Sequence, residues 1–227
     1  MSWLTQTFSS SIGKKVVMAL TGLFLIIFLI EHLIGNLLLL KFDDGVAFNE
    51  FAHFMKHNPL IMVGEVVLFL GFLFHVIDGI LLERKNRASR PVAYAGGNKS
   101  GVDSWASKYM GPFGIIILLF LIIHLYDFFR YKYFSPVNNM PGTDIADLAS
   151  LVYVKFSSFG YVLFYVISMA VVGFHLNHGF QSAFQTLGLN HVKYTPAIKL
   201  LGTAYSILVP LGMALIPIMI FIYNSSH

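Results

Sequence analysis

The chain contains no cysteine. Within this chain, that excludes a thiolate-held iron–sulfur cluster, a disulfide framework and a thioether-attached haem. It says little about redox compartment, because a chain embedded in lipid has no need of disulfides. Charge is the second scarcity. Only 11% of the 227 residues are Asp, Glu, Lys or Arg, where a soluble domain carries about 25%. With 56% hydrophobic residues and a strongly positive mean hydropathy, the composition is that of an integral membrane protein. No internal repeat, low-complexity tract or second domain is visible, so residues 1–227 read as a single membrane domain. Nothing in the composition points to nucleic acid.

What is present in quantity is long apolar runs. About 20 apolar residues at a rise of about 1.5 Å span the hydrocarbon core. Five segments qualify, at about 16–40, 60–82, 109–131, 156–187 and 197–223. The first follows the sequence MSWLTQTFSSSIGKK, is too long for the apolar core of a cleaved signal, and lacks a small-residue cleavage site. It is expected to be a retained first helix. The fourth is the longest and is expected to tilt or project beyond the lipid.

Charge distribution sets the orientation. With the N-terminus cytoplasmic, the inner segments hold ten of the 15 Lys and Arg residues and the outer segments hold five. This follows the positive-inside rule. The 83–108 loop is then cytoplasmic and offers a basic surface to a soluble partner. The 135–155 connection, with Pro136, Pro141 and Gly142, lies outside and is expected to hold a short helix.

Against this apolar background stand four histidines, one in each of the first four segments: His32, His75, His124 and His175. An ionisable residue within the membrane is a functional-site candidate with a partner to be found. Depth sorts them. From the outer ends of their helices His32 lies about 8 residues in and His124 about 7, roughly 12 and 10 Å. His75 is about 7 residues from the inner end of its helix and His175 about 12. One outer pair and one inner pair result. Two neutral imidazoles from facing helices are the usual axial set for a buried haem. Two stacked haems would pass electrons across the bilayer. Any one of these histidines could instead be a packing residue bonded to a carbonyl or hydroxyl; the pattern of four argues for a shared role.

His178, three residues after His175 on nearly the same face, cannot be separated from it by depth. His53 and His57 are expected in the outer loop and the approach to the second helix, His191 in an inner loop. Gly35, Gly71, Gly79, Gly173 and Gly179 flank the histidines, leaving room for helix contact or for a planar ring.

Four acids, Glu31, Glu65, Asp78 and Asp127, lie in or near the apolar segments. Glu65 is expected at the depth of the outer pair, either relaying protons to a quinone, with Glu50, His53 and His57 lining the route to water, or paired within the bundle. Asp78 and Asp127 each follow a histidine by three residues and either bond near the haem or mark polar helix ends. On the inner side Trp105, Ser107, Ser182, Gln185 and Thr186 are candidate donors to haem propionates, although a Trp there also suits the aromatic belt.

These residues together resemble the cytochrome b membrane-anchor subunit of succinate:quinone oxidoreductase (succinate dehydrogenase or fumarate reductase), of the single-anchor, two-haem type. The likeness covers nearly the whole chain: five helices with ligand histidines on the first four. Its most specific stretch is GFHLNHGFQSAFQTLG, residues 173–188, in which the family ligand corresponds to His175. EHLIGN around His32, FHVIDG around His75 and IHLYDF around His124 match the other ligand positions.

The resemblance implies an all-α membrane bundle enclosing two haem b groups, one on His32 and His124 and one on His75 and His175. It implies a flavoprotein subunit and an iron–sulfur subunit on the cytoplasmic face, as in respiratory complex II of the tricarboxylic acid cycle. It further implies quinone as the membrane substrate, menaquinone being favoured, and a bacterial cytoplasmic membrane as the location. Succinate-oxidising chemistry would reside outside this chain, and whether the whole complex dimerises is left open. Some family members carry a glutamate two residues before the fourth ligand, where this chain has Gly173. Two alternatives stand beside this reading: another quinol-linked two-haem cytochrome b, and a haem-free proton-coupled transporter.

Overall fold

The computed structural model describes residues 10–88, 105–134 and 137–226, with side chains in the second stretch from residue 109 onward. Among the described residues five helices are long and apolar enough to cross a membrane. The chain is thus a multi-pass helical membrane protein.

The first crossing is α1, Ser11–Leu37, extended by a 3₁₀ turn to Lys41. Ser10 caps it, its hydroxyl accepting from the Gly13 amide at 2.9 Å and so satisfying one of the orphan donors of the first turn. The chain then reverses through left-handed Phe42, Asp44 and Gly45. Gly45 is required twice over: its φ is +78°, and a Cβ there would lie 2.2 Å from the Ala149 Cβ.

Helix α2, Val46–His57, follows directly. His53 and His57 therefore stand on a helix rather than in a loop, one turn apart with ring centres 4.1 Å from each other. Twelve residues of mixed polarity cannot span lipid and do not stand out as an apolar run, so this helix is invisible to a hydropathy reading.

The second crossing is α3, Pro59–Ala88. It continues six residues beyond the expected limit at residue 82, because Glu83 and Arg87 pair across one turn (2.6 Å) and carry the helix on past the apolar run. The third crossing begins as α4, Trp105–His124, passes through a π-helical turn, Leu125–Phe129, and ends in α5, Arg130–Tyr133. After a bridge between Asn139 and Ala146, the expected short helix appears as α6, Leu148–Lys155. The fourth and fifth crossings are α7, Phe159–Thr186, and α8, Thr195–Ser226. At 28 residues α7 is shorter than α3 (30 residues) and α8 (32 residues), so it is not the longest crossing, although it still exceeds the about 20 residues that span the hydrocarbon core.

Helix α7 packs chiefly on α8, α4 and α1, while α3 packs chiefly on α1. The tight core lies in the half of the molecule that holds α6, around Leu39, Phe156, Tyr165 and Ile220. Lipid offers no hydrophobic drive between helices, so packing and interhelical hydrogen bonds hold them. Tyr205 on α8 donates to the Ile26 carbonyl of α1 at 2.6 Å. Tyr153 on α6 donates to the Leu39 carbonyl at 3.0 Å.

At the same end the buried Asn49 of α2 staples α6 in place. Its Nδ2 donates to Asp147 Oδ1 and its Oδ1 accepts from the Ala149 amide, both at 2.9 Å. Asp147 also caps α6 by accepting from the Ser150 amide and hydroxyl. Partial burial raises its carboxyl, but the bonds from Ser150 and Asn49 outweigh this and hold it below its ordinary value.

Candidate functional site

The structure brings the four helix-borne histidines together in two pairs. The rings of His32 (α1) and His124 (α4) have centres 5.8 Å apart and planes at 82°. Those of His75 (α3) and His175 (α7) have centres 6.3 Å apart and planes at 71°. It is His175, not His178, whose ring meets His75.

True helix ends account for this pairing better than apolar ends do. His32 is nine residues from the end of its span at Lys41, and His124 is nine from Tyr133. His75 is 13 residues from Ala88 and His175 is 11 from Thr186, which nearly removes the mismatch expected from sequence. Three independent contacts fix the separation between the two levels. Gly22 lies against His75 and Gly114 faces His175, while Tyr165 contacts His124. Each precedes the other-level histidine of its own helix by ten residues, or about 15 Å of helical rise.

Among the described residues no cluster of three or more His, Cys, Asp or Glu could hold an ion, so a four-coordinate zinc site built from protein ligands does not fit. Two opposed imidazoles suit instead a metal that brings its remaining ligands in a planar macrocycle. A metal–nitrogen bond of about 2 Å, added to a ring-centre-to-nitrogen distance of about 1 Å, sets opposed imidazole centres roughly 6 Å apart. The 5.8 and 6.3 Å separations agree with that. His175 Nδ1 is buried without a hydrogen-bond partner, a state that ordinarily demands an explanation.

The surroundings also suit a flat apolar group. Phe28 stacks on His32, and Phe120 stacks on His124 with Phe128 beside it. Helix α3 has no buried residue despite the inward ring of His75. The glycines that touch the histidines are Gly22, whose Cβ would come within 3.3 Å of His75 Cε1, and Gly114, 4.0 Å from His175 Cε1. Neither glycine stands out in the sequence, since neither adjoins a histidine along the chain. The glycines that flank the histidines in sequence serve other ends: Gly35 admits Phe51, and Gly71 and Gly79 meet Phe24 and Met18. Gly179 faces open space.

Gly173 has its own explanation. Pro210 in α8 lacks the amide that would bond the Ser206 carbonyl, and a Cβ at residue 173 would lie 2.9 Å from that oxygen. A glutamate there would collide with backbone.

Two imidazoles are anchored through Nδ1. His75 Nδ1 is 3.4 Å from Thr21 Oγ1, whose hydroxyl donates to the Val17 carbonyl and so is left to accept. His124 Nδ1 is 3.2 Å from the hydroxyl of Tyr165. That tyrosine lies 3.2 Å from the Tyr161 hydroxyl, which donates to Asp127 Oδ2 at 2.7 Å. Lys155 of α6 donates to Asp127 Oδ1 at 2.6 Å. Asp127 thus does more than mark a polar helix end. Thr21, Tyr161, Tyr165 and Lys155 were not foreseen; the one signal available was a tyrosine pair at i and i+4 within an apolar helix.

Glu65 is paired. Lys132 reaches it at 3.2 Å and Tyr133 donates to it at 2.6 Å. Glu50, His53 and His57 line a single open cleft with Phe54, Asn58 and Pro59. Of the propionate-side candidates, Ser182, Gln185 and Thr186 share the last turns of α7, seven to 11 residues beyond His175. Trp105 opens α4, but its side chain and that of Ser107 lie outside the described residues. Compared with protein-family models, curated proteins and solved structures, the chain has no match.

Proposed function

We propose that the chain is the two-haem cytochrome b anchor of a succinate:quinone oxidoreductase, carrying electrons between an iron–sulfur subunit and membrane quinone. The observation that carries this reading is the meeting of four intramembrane histidines as two imidazole pairs, on levels about 15 Å apart. His75 and His175 would hold one haem b near the end that bears the N-terminus. His32 and His124 would hold the other toward the α6 end. Each haem, when bound, takes up and passes on one electron at a time.

The protein's part is to hold and insulate. Thr21 and Tyr165 orient His75 and His124 through their Nδ1 atoms, fixing the ring tautomer as outer hydrogen bonds do at metal sites. Phe28, Phe120 and Phe128 exclude water from the His32–His124 level. Glu65 is the candidate group for exchanging protons with quinone, its oxygens positioned by Lys132 and Tyr133. Menaquinone is the favoured quinone. The flavoprotein and iron–sulfur subunits would dock on the cytoplasmic face, in a bacterial inner membrane.

The rival reading is a haem-free proton-coupled transporter, favoured by the two ion pairs set within or beside the membrane, Glu65–Lys132 and Asp127–Lys155. Purification in mild detergent separates the two. The anchor reading expects a copurifying flavin-bearing subunit with succinate-oxidising activity, and a chain isolated alone and colourless would refute it.

A further inference from the structure

We infer that the chain Tyr165–Tyr161–Asp127–Lys155 lowers the redox potential of the haem held by His32 and His124, by fixing the proton of His124 on Nδ1 and drawing it outward. The inference rests on the haem reading above. Its geometry does not, because every link is present in the protein alone.

Counting hydrogens gives the direction of the chain. Asp127 takes bonds from Lys155 Nζ at 2.6 Å and Tyr161 at 2.7 Å. A carboxylate held by an ammonium only accepts, so the single hydroxyl hydrogen of Tyr161 points at Asp127. Tyr161 must then accept from Tyr165, 3.2 Å away. Tyr165, its own hydrogen committed, must accept from His124 Nδ1 at 3.2 Å. His124 therefore carries its proton on Nδ1 and leaves the Nε2 lone pair for iron.

An acceptor on the far nitrogen of a ligand imidazole raises its basicity. A more basic ligand favours the oxidised metal. The acceptor here is polarised by the Asp127 carboxylate two tyrosines away, itself held by Lys155, and hydrogen bonds in series strengthen one another. The other level has no such relay: His75 Nδ1 lies 3.4 Å from the Thr21 hydroxyl, and its ring also meets the Met18 carbonyl, with the Asp78 charge nearby.

Three elements assemble the chain. Asp127 stands on the π-helical turn one turn beyond His124, a distortion that concentrates at functional sites. Tyr161 and Tyr165 lie one turn apart on α7. Lys155 arrives at the end of α6. Tyr165 and Asp127 are buried, which shields the links nearest His124 from water, while Lys155 stands at the partly exposed end of the chain. These four residues are positioning residues acting through His124.

The test is a potentiometric titration of the assembled complex with both haems resolved, comparing the parent with Tyr165→Phe, Tyr161→Phe and Asp127→Asn. The expected result is an upward shift confined to one haem. Tyr165→Phe should change its reduced-to-oxidised ratio at fixed poise by up to about tenfold, which is about 59 mV for one electron. The two remoter variants should move the same haem the same way by less, and Asp127→Glu should restore it. If Tyr165→Phe fails to assemble, Tyr161→Phe decides, since Tyr161 does not touch His124. Two haems with unchanged potentials in Tyr161→Phe and Asp127→Asn would overturn the inference and leave the haem reading intact. A parent complex without haem would overturn both.

Discussion

Gly22 offers a graded perturbation of one histidine pair. A Cβ placed on it would lie 3.3 Å from His75 Cε1 and 3.7 Å from Nδ1. Alanine therefore asks the ring to give by a few tenths of an ångström. Valine asks for much more. Its γ-carbons reach about 1.5 Å beyond Cβ, and in a helix valine is held largely to one χ1 rotamer, so it has little freedom to turn them away from the ring. To recover an ordinary contact of about 3.5–4 Å, the imidazole must retreat by roughly 1–2 Å, comparable with a whole metal–nitrogen bond of about 2 Å. Gly22→Val should thus lose the haem held by His75 and His175. The other pair, about 15 Å away along the bundle, should keep its own. Haem per polypeptide, measured as the alkaline pyridine complex, should fall from about two to one in Gly22→Val and stay near two in Gly22→Ala. Equal haem content and unchanged spectra in Gly22→Val would refute the placement of His75 as a ligand.

Other consequences can be checked separately. Asn49→Ala leaves the buried Ala149 amide without its acceptor, so the α2–α6 end should weaken by about 1–3 kcal/mol, read as earlier proteolysis of the 137–158 connection during heating. Asp147 is held below its ordinary carboxyl value of 3.8, so its stabilising contribution is complete above that value. It is lost as pH falls through the depressed one, and cleavage of the same connection should accelerate only below about pH 4. The Asn49→Ala chain, lacking one of the bonds responsible, should show a smaller acid step. Gly173→Glu should not add a proton route: its Cβ would meet the Ser206 carbonyl at 2.9 Å, and thermal stability should drop while Gly173→Ala loses less.

Much of the architecture was legible because it depends on local quantities. Apolar length marks a crossing, and helical rise converts residue number into depth, so the five spans and the two histidine levels follow from sequence. The errors have a common cause: the end of an apolar run is not the end of a helix. Helix α3 continues on charged residues to Ala88, past the apolar limit at 82, and α7 begins at Phe159, three residues inside its run. Helix α2 is half polar and too short to cross, so its histidines were read as loop residues. What stayed hidden is relational. Gly22 and Gly114 matter only through the ring that each faces across the bundle. The tyrosine chain needs a π-helical turn, a fourth-crossing helix and a short loop helix to meet at Asp127. Glu65 was visible as a buried acid; that Lys132 and Tyr133 hold it was not.

The most direct measurement is the reduced-minus-oxidised visible spectrum of the purified complex, recorded for the parent and for single Ala replacements of His32, His75, His124 and His175. The account predicts two b-type α-bands in the parent. His32→Ala and His124→Ala should remove the same one, and His75→Ala and His175→Ala the other. No α-band in the parent, or loss of the same haem on replacing His75 as on replacing His32, would contradict it.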